Sequence, residues 1–185
     1  MSRIFVNFVN MERSVFKFWL ILGLSLASLS QSGCAQPTQV QPPDSQLEEI
    51  FSNNRKDFDL LVEMAETDAH VVRIDHDFTW LENDASWPRL ESEIGFATHR
   101  WDEYRSLFKK LNLQRGLQRY PETGQIFLIA SSKGLLTGGS NKGYVFSTET
   151  PGILRDSLDG DVREDLGKKP IFKRLEGNWY LYFRN

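Results

Sequence analysis

The sequence predicts an α+β fold: an antiparallel sheet of five or six strands with two amphipathic helices packed on one face. Three observations carry this. Between Ser45 and Leu111, two stretches repeat apolar residues at spacings of three and four. After Leu111 the pattern changes to short β-branched and aromatic runs, separated by turns bearing Gly, Pro and Asn. About 140 residues follow a Pro/Gln-rich stretch with no second linker or internal repeat, a length that suits one core.

The first helix is expected over Ser45–Thr67. Ser45-Gln46-Leu47-Glu48 has capping-box spacing, and Leu47, Ile50, Phe51, Phe58, Leu61, Val62 and Ala65 fall on one face, interrupted at Asn54. Val71, Val72, Ile74, Phe78 and Trp80 then mark one or two strands between His70 and Leu81. Glu82 to Ala97, with Pro88 and Gly95, has no clean period and is expected to be a loop. A second helix is predicted from Thr98 as N-cap, its stripe formed by Trp101, Tyr104, Phe108 and Leu111. Lys109 and Lys110 suit the negative end of its dipole.

Six strands are expected after it: Leu117–Tyr120, Gln125–Ser131, Leu135–Gly138, Tyr144–Ser147, Ile171–Leu175 and Trp179–Arg184. Pro121-Glu122-Thr123-Gly124, Ser132-Lys133-Gly134 and Ser140-Asn141-Lys142-Gly143 carry turn chemistry. Thr148 to Lys169 is a polar excursion with a short apolar piece at Ile153 and Leu154. In the closing hairpin, a three-residue loop Glu176-Gly177-Asn178 sets Lys173 opposite Leu181 and Ile171 opposite Phe183, with Asn178 suited to a left-handed position. A one-residue slip would reverse every face.

The start of the chain speaks to compartment. Arg3, Arg13 and Lys17 precede an uncharged run from Phe18 to Leu29, followed by Ser32, Gly33 and the single cysteine, Cys34. This is the pattern of a secretory signal over residues 1–33, with Met11 a second start that would give a signal of ordinary length. The run is shorter than the roughly 20 apolar residues a spanning helix needs. Ser32-Gly33-Cys34 resembles the lipobox of bacterial lipoproteins, departing from it at Gln31, where that family prefers an aliphatic residue. The resemblance implies acylation of Cys34 as first mature residue, with palmitate among the chains expected there. The alternative is ordinary cleavage after Ala35. Residues 34–44 then form the anchor cysteine and a Pro/Gln-rich linker, and residues 45–185 the globular domain.

With one cysteine there is no internal disulfide, so the core must hold the domain together. Residues 1–33 carry three of the 22 basic and one of the 25 acidic residues, so the mature chain has a net charge near −5. That balance gives no footprint for nucleic acid and no polybasic membrane patch. The membrane is reached through the acyl anchor, in the cell envelope.

From Arg100 onward, Arg100-Trp101, Tyr104, Leu107-Phe108, Gly116-Leu117, Lys142-Gly143-Tyr144, Asp156-Ser157-Leu158-Asp159 and Asn178-Trp179-Tyr180-Leu181-Tyr182 give the chain a likeness. The pattern is similar to a family of uncharacterised bacterial envelope lipoproteins. The resemblance implies an exported, lipid-anchored domain and transfers no functional residue.

Candidate chemistry is sparse. Asp75-His76-Asp77 with His70 could suggest a metal, but on a strand the carboxylates and imidazoles point to opposite faces. A polar bend between strands is expected instead. Asp156 to Asp165 is acidic enough for calcium, yet Val162-Arg163 breaks the ligand pattern. Gly138 to Gly143 precedes a strand rather than a helix, so it is expected to be a hairpin turn and not a phosphate loop. No serine sits in a nucleophile elbow, and His99 falls on a solvated helical face. No cofactor, metal or catalytic residue is therefore expected. With helices on one sheet face, the other offers Phe172, Arg174, Tyr180, Tyr182 and Arg184 as a possible binding surface. Arg174 is also placed to stack on Tyr180 as an ordinary cation–π pair. The expected function is a binding or interaction module of the envelope with a protein partner, an immunity-type inhibitor or accessory protein being one version. The alternatives are a small envelope hydrolase and a structural stabiliser of an envelope complex.

Overall fold

A computed structural model describes residues 41–86, 90–134, 139–160 and 169–185. The predicted signal, Cys34, the linker up to residue 40 and the strand expected at Leu135–Gly138 lie outside the described residues. The described chain runs α1 (Asp44–Asn53), α2 (Arg55–Thr67), β1 (Val71–Ile74), β2 (Thr79–Leu81), a 3-10 turn at Glu91–Glu93 and α3 (Thr98–Lys110). It continues as β3 (Leu117–Tyr120), β4 (Gln125–Lys133), β5 (Ser140–Phe146), β6 (Ile153–Leu154), β7 (Ile171–Arg174) and β8 (Trp179–Arg184). No helix among the described residues is long and apolar enough to cross a membrane.

The fold is α+β, with a larger sheet than the sequence predicts. Among the described residues eight strands lie in the order β2-β1-β3-β4-β5-β8-β7-β6. All neighbours pair antiparallel except β6, which is parallel to β7. The extra strands come from two places. The run at His70–Leu81 makes two strands, and the apolar piece at Ile153–Leu154 becomes an edge strand beside Ile171 and Phe172.

Among the described residues three helices form where two were predicted. The first breaks at Asn54, whose φ is −129° and whose side-chain Nδ2 donates to the Ile50 carbonyl at 2.9 Å. An Asn side chain that satisfies a nearby carbonyl offers the backbone an alternative to continuing the helix. Ser45 does not cap α1. Pro43 takes the cap position, Ser45 is exposed in the first turn, and Glu48 turns toward Lys173. Thr98 is the first helical residue of α3, with Ala97 in the cap position.

The register row Ile74, Leu117, Leu128, Tyr144 and Leu181 lines one sheet face. It packs in one core with Leu47 and Phe51 of α1, Phe58 and Leu61 of α2, and Tyr104 and Phe108 of α3. Trp179 sits at the centre, fully buried, with ring centroids 5.6 Å from Phe51, 5.5 Å from Phe58 and 5.4 Å from Phe146. The closing hairpin keeps the predicted register: Ile171 pairs Phe183, Lys173 pairs Leu181 and Arg174 pairs Tyr180. The left-handed position falls on Gly177, with φ of 57°, rather than on Asn178.

Ser140 to Gly143, expected as a hairpin turn, belongs to β5. Gly143 supplies close approach there and not a turn. A Cβ at this position would overlap the carbonyl oxygen of Leu128 on the neighbouring strand. The opposite sheet face carries a second cluster of Phe127, Ile129, Val145, Phe172, Tyr180 and Tyr182.

Candidate functional site

The polar centre of the molecule lies where α1 meets β5, β7 and the segment after β6. Along β5 side chains alternate, so Lys142, Tyr144 and Phe146 share the helix-facing side. This drives the Lys142 ammonium inside, where it is 1% exposed. Its Nζ lies 2.7 Å from Asp44 Oδ1 and 2.6 Å from Asp159 Oδ1. Tyr144, one turn of the pleat further on, donates its hydroxyl to the Leu47 carbonyl at 3.0 Å and ties α1 to the same strand.

Asp44 and the segment 157–159 hold each other. Asp159 accepts the Asp44 N–H at 3.0 and 3.1 Å, covering a free amide at the start of α1 from a residue distant in sequence. Asp44 Oδ2 in turn accepts the Leu158 N–H at 2.8 Å and the Ser157 hydroxyl at 3.2 Å. Lys173 of β7 completes the group, 3.3 Å from Asp44 Oδ2 and 2.6 Å from Glu48 Oε1. Burial alone would raise the Asp44 pKa, but the Lys142 ammonium and the Leu158 amide outweigh it and hold the carboxyl below its ordinary value. The Lys173 pKa is raised, first by its bond to Glu48, against the opposing pull of burial. Lys142, pinned between two carboxylates, is a structural cation and not a free nucleophile.

Lys173 of this group also lines an open cleft of about 410 Å³, together with Leu154, Arg155, Asp156 and Arg174. Arg155 and Arg174 are exposed. The Arg174 guanidinium lies 5.1 Å above the Tyr180 ring, the cation–π pair expected from the sequence. Ile153 and Leu154 are 38% and 42% exposed, among the largest apolar exposures in the described residues. The cleft thus offers exposed guanidinium donors beside aliphatic surface, the chemistry for a ligand that is part acidic and part apolar.

The surface expected from the sequence divides. Phe172, Tyr180 and Tyr182 are buried, at 1%, 3% and 2% exposure, so they are core and not an accessible aromatic patch. They pack in one cluster with Phe127, Ile129 and Val145, Phe127 meeting Tyr182 edge-on at 4.8 Å. Burial raises the Tyr182 pKa as well. Of the five residues, Arg174 is exposed and Arg184 half-buried, its Nη1 3.5 Å from the Tyr120 hydroxyl.

The Asp75-His76-Asp77 segment is a bend between β1 and β2 whose members diverge. Asp75 is fully buried and paired with Arg73 at 2.7 Å and Arg115 at 3.4 Å. Burial lowers the Arg73 pKa, with the Asp75 charge opposing it. His76 packs against Phe108 and donates through Nε2 to the Leu113 carbonyl at 2.9 Å. Asp77 is exposed, and His70 bonds the Gly95 carbonyl. Among the described residues, no three His, Cys, Asp or Glu side chains are placed together as metal ligands. His99 is exposed in the first turn of α3.

Sequence reasoning missed Asp44 and Lys142, and took Asp159 only as a solvated acid. A signal was present: Lys142 stands two residues before Tyr144 and four before Phe146, the inward phase of an alternating strand. Set against family models, curated proteins and solved structures, the chain matches none.

Proposed function

We propose that the chain is a lipid-anchored binding module of the bacterial cell envelope, holding a protein partner at the cleft beside β6 and β7. The observation that carries this is Arg155 and Arg174 lining a cleft with exposed Leu154, beside Lys173, which is held by Glu48 and Asp44. Interfaces concentrate arginine beside apolar surface because the guanidinium combines a flat face with several donors. The anchor is supported by Ser32-Gly33-Cys34 after the apolar run. Gln41 donates to Ser140 at the start of β5, so chain entry is fixed there.

Two measurements test the proposal. Intact mass of membrane-extracted protein should show a diacyl or triacyl group on an N-terminal Cys34, and Cys34→Ala should leave precursor or release soluble protein. An unmodified N-terminus at Gln36 would refute the anchor. A photo-crosslinking residue at Asp156 should label a specific envelope protein that the same residue at Glu122, on the turn after β3, does not. Equal labelling from both positions would refute the cleft.

A further inference from the structure

The two edges of the sheet are treated differently. At one edge, Leu81 of β2 exchanges backbone hydrogen bonds with Asp84 at 3.0 Å each, so the chain's own turn occupies part of that border. At the other edge, β6 pairs with β7 through Ile153↔Ile171 and Leu154↔Phe172, and the Arg155 N–H continues the pairing to the Phe172 carbonyl at 2.7 Å. Backbone groups of successive residues in a strand point to opposite sides, so the N–H and C=O of Leu154 face away from β7. Edge strands are ordinarily blunted by charge, proline or a bulge, because an open row of amides templates another strand. Here that position carries an exposed aliphatic side chain with another before it.

The charge at this border is specific. Lys173 is committed to Glu48 and Asp44. Arg174 lies over the Tyr180 ring, and Arg155 directly follows β6, with Asp156 the one carboxylate among the described residues lining the cleft. Two guanidinium groups just beyond Leu154, one following β6 and one on β7, suit carboxylates carried by an extended chain.

We propose that β6 accepts an extended acidic peptide segment of the partner as an added edge strand, with its backbone paired to Leu154 and its carboxylates on Arg155 and Arg174. This rests on the cleft being the binding site. Main-chain pairing would supply affinity and the arginines specificity, as in other cases of strand addition.

The test uses the full-length chain in detergent and a fluorescent hexapeptide of alternating Val and Glu, read by polarisation. Binding of this peptide is expected to exceed that of its Val/Lys counterpart by about tenfold or more, a gap of about 1.4 kcal/mol. Arg155→Ala with Arg174→Ala should erase that preference. Leu154→Pro removes the outward amide without touching the Arg155 bond to Phe172, and should abolish binding, whereas Leu154→Ala should retain it. A Val/Glu peptide N-methylated at alternate amides tests the same hydrogen bonds with the protein unaltered, and should not bind. Equal affinity for the Glu and Lys peptides would overturn the acidic specificity. Undiminished binding by Leu154→Pro or of the N-methylated peptide would overturn strand addition while leaving the cleft in place. Failure of the Val/Glu peptide to bind, with crosslinking at Asp156 intact, would overturn the peptide proposal alone; loss of site-specific crosslinking would overturn the cleft itself.

Discussion

The Lys142 ammonium and the Asp44 carboxylate meet at 2.7 Å with both side chains almost wholly out of water, which joins the middle of the sheet to the first turn of the first helix. Removing one member of such a pair leaves a buried charge without compensation. Lys142→Met is expected to lower the unfolding free energy by about 3–5 kcal/mol in urea titration. Adding Asp44→Asn should restore part of that loss, because the stranded carboxylate is then gone. A double variant less stable than Lys142→Met alone would contradict this account.

The depressed pKa of Asp44 has a defined consequence for acid stability. The folded state binds this proton less tightly than the unfolded chain, so the contribution is complete above about pH 4 and fades as pH falls through the lower folded value. The stability gap between wild type and Asp44→Asn should therefore shrink from pH 5 to pH 2. Lys173 has the opposite sense: its raised pKa gives stability that is complete below about pH 10.4 and lost as pH climbs through the folded value. A Lys173→Met variant should approach wild type only in that alkaline range.

Trp179 is surrounded by Phe51, Phe58 and Phe146, and its Nε1 donates to Asp59 at 3.1 Å. Trp179→Ala should cost about 3–5 kcal/mol, measured by chemical denaturation. A cost under about 1 kcal/mol would place the tryptophan outside the core.

Two glycines should respond oppositely. Gly143→Ala drives a methyl into the Leu128 carbonyl and is expected to cost at least about 1–3 kcal/mol. Gly177 has a left-handed φ of 57° but open space around it, so Gly177→Asn should stay within about 1 kcal/mol of wild type. Thermal melts of the two variants side by side decide the matter.

The sequence made legible what depends on local periodicity. The face shared by Tyr104 and Phe108, the strand at Leu117–Tyr120 and the register of Lys173 against Leu181 all follow from spacing and loop length. Features decided by distant residues were not legible. Asn54 is a local exception: the apolar stripe is interrupted there, but spacing alone does not decide that its side chain bonds Ile50 and ends the helix. Ile153 and Leu154 are too few to read as a strand until β7 lies beside them. Tyr180 and Tyr182 looked like a surface because helices were expected on one face only, whereas packing with Phe127, Ile129 and Val145 makes a second core. The ion cage was hidden because Asp44 and Asp159 are brought together only by the finished fold.

The capping of the Asp44 amide by Asp159 also sets an order of events. The amide that opens α1 waits for a carboxylate 115 residues further along the chain. Loop closure over such a distance is entropically costly and comes late. In a chain emerging N-terminus first, the first helix stays unfastened until nearly the whole sequence is available. The domain therefore completes itself at its beginning, and a chain halted before residue 159 would lack the clasp that seats its own first turn.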